Sequence, residues 1–207
     1  YHWQKKILSL FGITEDRLVD SNKFRHISAD EIIAIDHPWY RKGYVQQEIE
    51  NLPEWIIIYL REKFLNLKKT FKASKKIFID RSDSEYNHCK LVNNKDIIKY
   101  LKSKGFESYQ ASKLDFFEQI YLFENADTII SPHGAALTNI IFSKPNLQLV
   151  ELIPSNHDTI KCQRISKILN FNYKRVNLKQ IDSVDADGDI KIELPELNKI
   201  LQSLDLN

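Results

Sequence analysis

A chain of 207 residues holds one large domain or two small ones, and its apolar fraction of 43% is enough for a real core. With 30 basic against 28 acidic residues the net charge is +2, so no global field draws it to a nucleic acid polymer, and the basic clusters at Lys68, Lys69 and Lys72 and at Lys75 and Lys76 read as solvated faces. Cys89 and Cys162 lack the spacing of a disulfide framework or a zinc site and suit a reducing compartment, no signal-peptide pattern opens the chain, and the longest apolar run, Trp55 to Leu60, is far short of the roughly 20 residues of a bilayer span.

Residues 3–11 predict a helix with Ile7, Leu8 and Phe11 on one face, stopped by Gly12. Residues 17–20 and 31–36 read as short strands, the second ending in a turn over 37–40 where Pro38 cannot donate to a ladder. Pro53 opens a helix of about four turns over 53–67. From Lys75 the pattern becomes a regular alternation: a strand at 75–80, a helix over 95–104 capped by Asn94 and closed by Gly105, a strand at 106–110, and a helix over 114–126. It continues with a strand at 128–131, the turn SPHGAALTN into a helix that begins near Ala135, and a strand at 147–154. A helix at 157–171, a strand at 172–178 and a terminal helix at 194–204 complete it, with an acidic loop over 182–190. Repeated βα units predict an α/β domain with a Rossmann-like parallel sheet and helices on both faces. The expected division is an N-terminal α/β segment, 1–70, and a nucleotide-binding domain, 71–207.

In open parallel sheets ligands sit beyond the carboxyl ends of the strands, so the residues there are the candidates. Arg81 follows the first regular strand and opens a loop holding Lys90 and Asn93; Arg by bidentate bonding and Lys as a point charge could neutralise a diphosphate. At the next strand end, His133, Gly134 and Ala135 form a turn whose small residues let an anion approach the start of a helix, and Thr138 and Asn139 add polar groups. His133 is read as a phosphate contact or a base, against the plainer role of a capping or core group. Glu151, at the end of a buried strand, needs a partner: the hydroxyls of a ribose, or a salt bridge to Arg81 or Lys90. Asp80 and Asp83 lack the spacing of an acidic pair that holds a metal on a diphosphate, which favours a site without metal, basic residues and a helix start taking the place of the cation.

Four ordered stretches carry a resemblance. IDR at 79–81, Asn93 ahead of a helix, FFEQIYLFENADTIISPHGAALTNIIF at 116–142 and LVELIP at 149–154 together resemble glycosyltransferase family 61, well over roughly 75–175 and more loosely over 3–38. The resemblance implies the C-terminal lobe of a B-type glycosyltransferase, with a nucleoside-diphosphate sugar, UDP-linked, as co-substrate and no further cofactor. It implies donor phosphate on Arg81 and Lys90, a donor pocket lined by His133, Gly134, Ala135, Thr138 and Asn139, ribose on Glu151, and Glu118 and Gln119 supporting from behind. Lys90 stands where the family often has a second arginine. A glycan acceptor, inversion of the sugar, His133 as the candidate catalytic base, and cytoplasmic polysaccharide machinery peripheral to the inner membrane follow as expectations. The chain has no methionine and only about 70 residues before the matching half, which points to a missing acceptor lobe. Two alternatives are a nucleotide-binding module without catalysis and an enzyme resembling the polysaccharide pyruvyl transferases.

Overall fold

The computed structural model describes residues 2–33, 52–84, 89–181 and 188–204. Two compact units divide at residues 37 and 38, earlier than the boundary expected near 70. In the first, α1 spans His2–Leu10 and closes at Gly12, whose φ of 73° favours glycine and whose N–H reaches Ser9 O at 3.0 Å. The strand expected over 17–20 does not form. A 3-10 turn covers Glu15–Arg17, and Asp20 then draws the chain round by accepting from Asn22 N on its side chain and from Lys23 and Phe24 N on its carbonyl. Of the strand expected over 31–36, residues 31–33 have no regular structure; its remainder and the turn over 37–40 lie outside the described residues.

The second unit is a five-stranded, wholly parallel sheet. Its strands are β1 (Lys76–Ile79), β2 (Glu107–Tyr109), β3 (Thr128–Pro132), β4 (Gln148–Pro154) and β5 (Asn172–Leu178), in spatial order β2-β1-β3-β4-β5. Every residue of β3 is buried and all but the first of β1 and β4, the near-continuous apolar runs that a sheet covered on both faces requires. One face presents Phe78, Ile130, Val150, Leu152, Val176 and Leu178 to α3 (Asn94–Ser103) and α6 (Leu194–Gln202). The other buries Ile77, Ile79, Ile129, Leu149 and Ile153 towards α2 (Glu54–Phe64), α4 (Phe116–Asn125), α5 (Lys161–Leu169) and a tight helix at Ala135–Phe142. Phe64, Phe116 and Phe142 join three of these elements by edge-on ring contacts at 5.3 and 6.1 Å. Through them residues 54–67 belong with the sheet.

Three boundaries differ from expectation for local reasons. Asn93 and not Asn94 stands at the N-cap of α3, and Asn94 lies inside the helix with its Nδ2 donating to Asp80 Oδ1 at 2.8 Å. The stretch 157–160 stays out of α5, held as a loop by Arg175, which donates to the carbonyls of His157 and Thr159. The helix after SPHG is 3-10 along all eight residues, longer than such helices usually run. Its far end is fixed by Arg61, which donates to Ile141 O and, at 2.8 Å, to Ser143 O, taking carbonyls the helix leaves unpaired.

The start of α4 is a capping box. Asp115 Oδ1 accepts from Glu118 N at 2.9 Å while Glu118 Oε2 accepts from Asp115 N at 3.0 Å. Lys69 donates to both carboxylates, and Lys68 to Glu124, so the lysine cluster is paired across α4. Asp115→Ala should lower stability by about 1 kcal/mol in urea denaturation.

Candidate functional site

The order β2-β1-β3-β4-β5 reverses direction between β1 and β3, and in such sheets the crevice at that reversal, beyond the carboxyl ends of the strands, is where ligands bind. Arg81 leaves β1 on one side of it and the His133-Gly134 turn leaves β3 on the other. Two of the expected residues are thus brought together although 52 positions separate them in the chain.

Arg81 and Gly134 fit as a pair. A Cβ on Gly134 would lie 1.7 Å from Arg81 Nη1 and 2.2 Å from its Cζ, so the guanidinium occupies the space a side chain would fill. The backbone of Gly134 is extended, with φ 166° and ψ 176°, so close approach and not conformation demands glycine here. Arg81 is only 9% exposed and its Nη1 has no hydrogen-bond partner. Burial lowers its pKa, opposed by the neighbouring Cys89 and Asp83, yet an arginine retains its charge. A buried, charged N–H without an acceptor is costly, and the chemistry that relieves the cost is an anionic oxygen. Asp80 fixes the loop that carries this arginine. Its carboxylate accepts from Ser82 N and Oγ, Asn94 Nδ2 and Gln110 Nε2, tying the loop to α3 and to the end of β2.

His133 is held from two directions. Its N–H donates to Leu152 O at 2.8 Å, carrying the β3–β4 pairing one residue further, and its ring nitrogen Nδ1 lies 2.6 Å from Glu151 Oε1. The second carboxylate oxygen, Oε2, takes the Tyr173 hydroxyl at 2.5 Å. Burial opposes the charge on Glu151, which is 1% exposed, but the bonds from His133 and Tyr173 prevail and hold its pKa below the usual carboxylate value. An ionised Glu151 makes Nδ1 the protonated ring nitrogen and leaves Nε2 as an acceptor. The His157 ring packs against that of His133 at 4.5 Å.

Both oxygens of Glu151 are engaged inside the protein, by His133 and Tyr173. Glu118 belongs to the capping box and the Lys69 ion pair. Gln119 donates to Ala111 O and Leu114 O and accepts from Asn139 Nδ2 at 2.8 Å. Ala135 and Thr138 are exposed on the rim of the turn. Lys90 and Asn93 are drawn to the last segment, Lys90 by backbone bonds with Asp189 and Ile190 and Asn93 through Nδ2 to Ile192 O. In the sequence Asp80 and Cys162 figure only for lacking metal or disulfide spacing, and His157, Tyr173 and Arg175 are not singled out. The placement of Tyr173, Arg175 and Asn177 on one face of β5, opposite Val176 and Leu178, was the available signal.

His133, Glu151 and Cys162 place one potential metal-ligand atom each within 4.8 Å of one another. The His133 and Glu151 atoms already face each other at hydrogen-bond distance, and burial pushes the Cys162 thiol pKa up, which keeps it protonated. A cation there would have to break this network, so the three fit a hydrogen-bonded cluster better than a metal centre. Among the described residues no helix is long and apolar enough to cross a membrane.

A family model described as Glycosyltransferase 61 matches residues 1–150, so the match reaches the N-terminal unit and stops one residue short of Glu151. No curated protein matches the chain.

Proposed function

The chain belongs to glycosyltransferase family 61, and on that premise we propose that its β1–β3 crevice holds the diphosphate of a UDP-linked sugar and transfers the sugar, with inversion, to a hydroxyl of a glycan. The observation that carries this reading is Arg81, whose buried Nη1 lacks an acceptor beside Gly134. Arg81 and the first N–H groups of the Ala135–Phe142 helix meet the donor phosphates, with Thr138 and Asn139 at the rim. His133 Nε2 takes the proton from the acceptor hydroxyl while its oxygen attacks the anomeric carbon opposite the phosphate. The bond from that carbon to the phosphate oxygen breaks, its electron pair leaves on the nucleoside diphosphate, and Arg81 and the helix start stabilise the developing charge. Glu151 holds the ring at Nδ1 and compensates the imidazolium as it forms. Positive groups of the chain do this without a metal ion. Synthesis of a surface polysaccharide, by cytoplasmic machinery peripheral to the inner membrane, is the setting we assign to the reaction.

Isothermal titration with UDP tests the donor site. Binding is expected to survive EDTA and to weaken at least about tenfold, roughly 1.4 kcal/mol, in Arg81→Ala. Absence of UDP binding, or an affinity indifferent to Arg81, overturns the assignment.

A further inference from the structure

The edge strand β5 reaches the site through Tyr173 and Arg175, two positions apart and hence on one face. Arg175 holds the loop that carries His157, and Tyr173 shares the Glu151 carboxylate with His133. We propose that Tyr173 is a positioning residue for His133: through the one carboxylate that both side chains bind, it sets how readily the ring at 133 takes up a second proton. Its catalytic consequence rests on the reading of His133 as the base; the effect on the protonation of His133 does not.

The physical basis is competition for a single negative charge. A carboxylate that accepts from two donors divides its charge between them, and each donor weakens its hold on the other. With the Tyr173 hydroxyl at 2.5 Å on Oε2, Glu151 attracts an imidazolium at Oε1 less strongly than a carboxylate bonded to His133 alone. Burial, and then the charge of Glu151, push the Tyr173 pKa far up, so Tyr173 remains a donor whenever the protein is folded. Around this pair stand Arg175 on β5, Cys162 and Lys161 on α5, His157 on the loop before α5, and Arg81 across Gly134. Cys162, a thiol kept neutral by burial, also bonds the Glu151 carboxylate but is a weak donor, and Arg175 is turned to the carbonyls of His157 and Thr159, so Tyr173 is the strong neutral donor best placed to set the balance. Glu151, Cys162 and Tyr173 all lie beyond the matched stretch 1–150.

The test is the titration of His133 by nitrogen-edited NMR in the full chain, its signals among the six histidines assigned by their loss in His133→Gln. In Tyr173→Phe the His133 pKa is expected to rise by about half a pH unit or more, with the proton kept on Nδ1. Fluorotyrosine at 173, a stronger donor of nearly the same shape, is expected to shift it the other way, and serves alone if the phenylalanine variant does not fold. An unmoved His133 titration, or equal shifts of one sign in both variants, overturns the proposal. Release of UDP from a panel of UDP-sugars separates it from the wider reading. If His133→Gln stops turnover while Tyr173→Phe leaves the titration unmoved, the base stands and Tyr173 falls; a shifted titration with turnover intact in His133→Gln does the reverse.

Discussion

Exchange of His133 for glutamine is expected to lower sugar transfer about 10²–10⁴-fold while UDP affinity changes little, the effect of removing a general base and leaving the phosphate site in place. Glutamine can still donate to Glu151, so the carboxylate is not stranded, and single-turnover assays beside UDP titration separate the two effects. A large parallel loss of UDP affinity would instead make His133 a phosphate contact. Glu151→Ala is expected to damage the fold as well as the reaction. It strips a buried carboxylate from between two donors, leaving His133 Nδ1 and the Tyr173 hydroxyl without an acceptor, at a cost of about 3 kcal/mol. The folded-state pKa of Glu151 lies below its unfolded value, so its contribution to stability is complete above the unfolded pKa and is lost as pH falls through the folded one. The stability gap between wild type and Glu151→Ala should therefore be widest near neutrality and narrow below about pH 4. A gap independent of pH would show that the carboxylate is not ionised in the fold.

Gly134→Ala is the second substitution with a large expected effect, and its consequences for fold and function differ in size. The added methyl would stand 1.7 Å from Arg81 Nη1 and 2.7 Å from Arg81 Nε, a distance no packing tolerates. What must yield is the end of a long side chain, and the extended backbone at 134 accepts alanine, so the loss of stability stays near about 1 kcal/mol. The guanidinium, however, leaves the crevice. UDP affinity should fall about 30-fold, or 2 kcal/mol, as in Arg81→Ala, and the double variant Arg81→Ala with Gly134→Ala should be no worse than either alone. Additive losses in that cycle would mean that Gly134 and Arg81 act on the ligand separately.

Three of the sequence motifs already marked the ends of strands, and the fold followed from them because buried parallel strands announce themselves as unbroken apolar runs. IIS before His133 and LVELI around Glu151 are of this kind, and β5 lies on its predicted residues, 172–178. Capping was legible only in part. Gly12 and Gly105 close helices with φ of 73° and 81° as their placement suggests, whereas Asn94 stands one residue inside its helix, its amide donating to Asp80, 14 positions earlier in the chain. The expected strand at 17–20 failed since apolar residues alone do not provide a neighbouring strand, and Asp20 offered the backbone nearer partners.

The chain's own order of residues determined the α/β alternation, the positions of Arg81 and His133 after strands, and the small residues that let the turn after β3 pack closely. Each depends on side-chain size and polarity over a few neighbouring positions. Which side chains meet was decided only when β3 and β5 flanked β4 in register, Ser131 opposite Glu151 and Leu149 opposite Tyr173. That pairing brought Glu151 to His133 and Tyr173. The pairing of β1 with β3 set Arg81 in the space above Gly134. Burial raises the cost of an unpaired charge, and the sheet, bringing residues far apart in sequence to within hydrogen-bonding reach, settles how that cost is met.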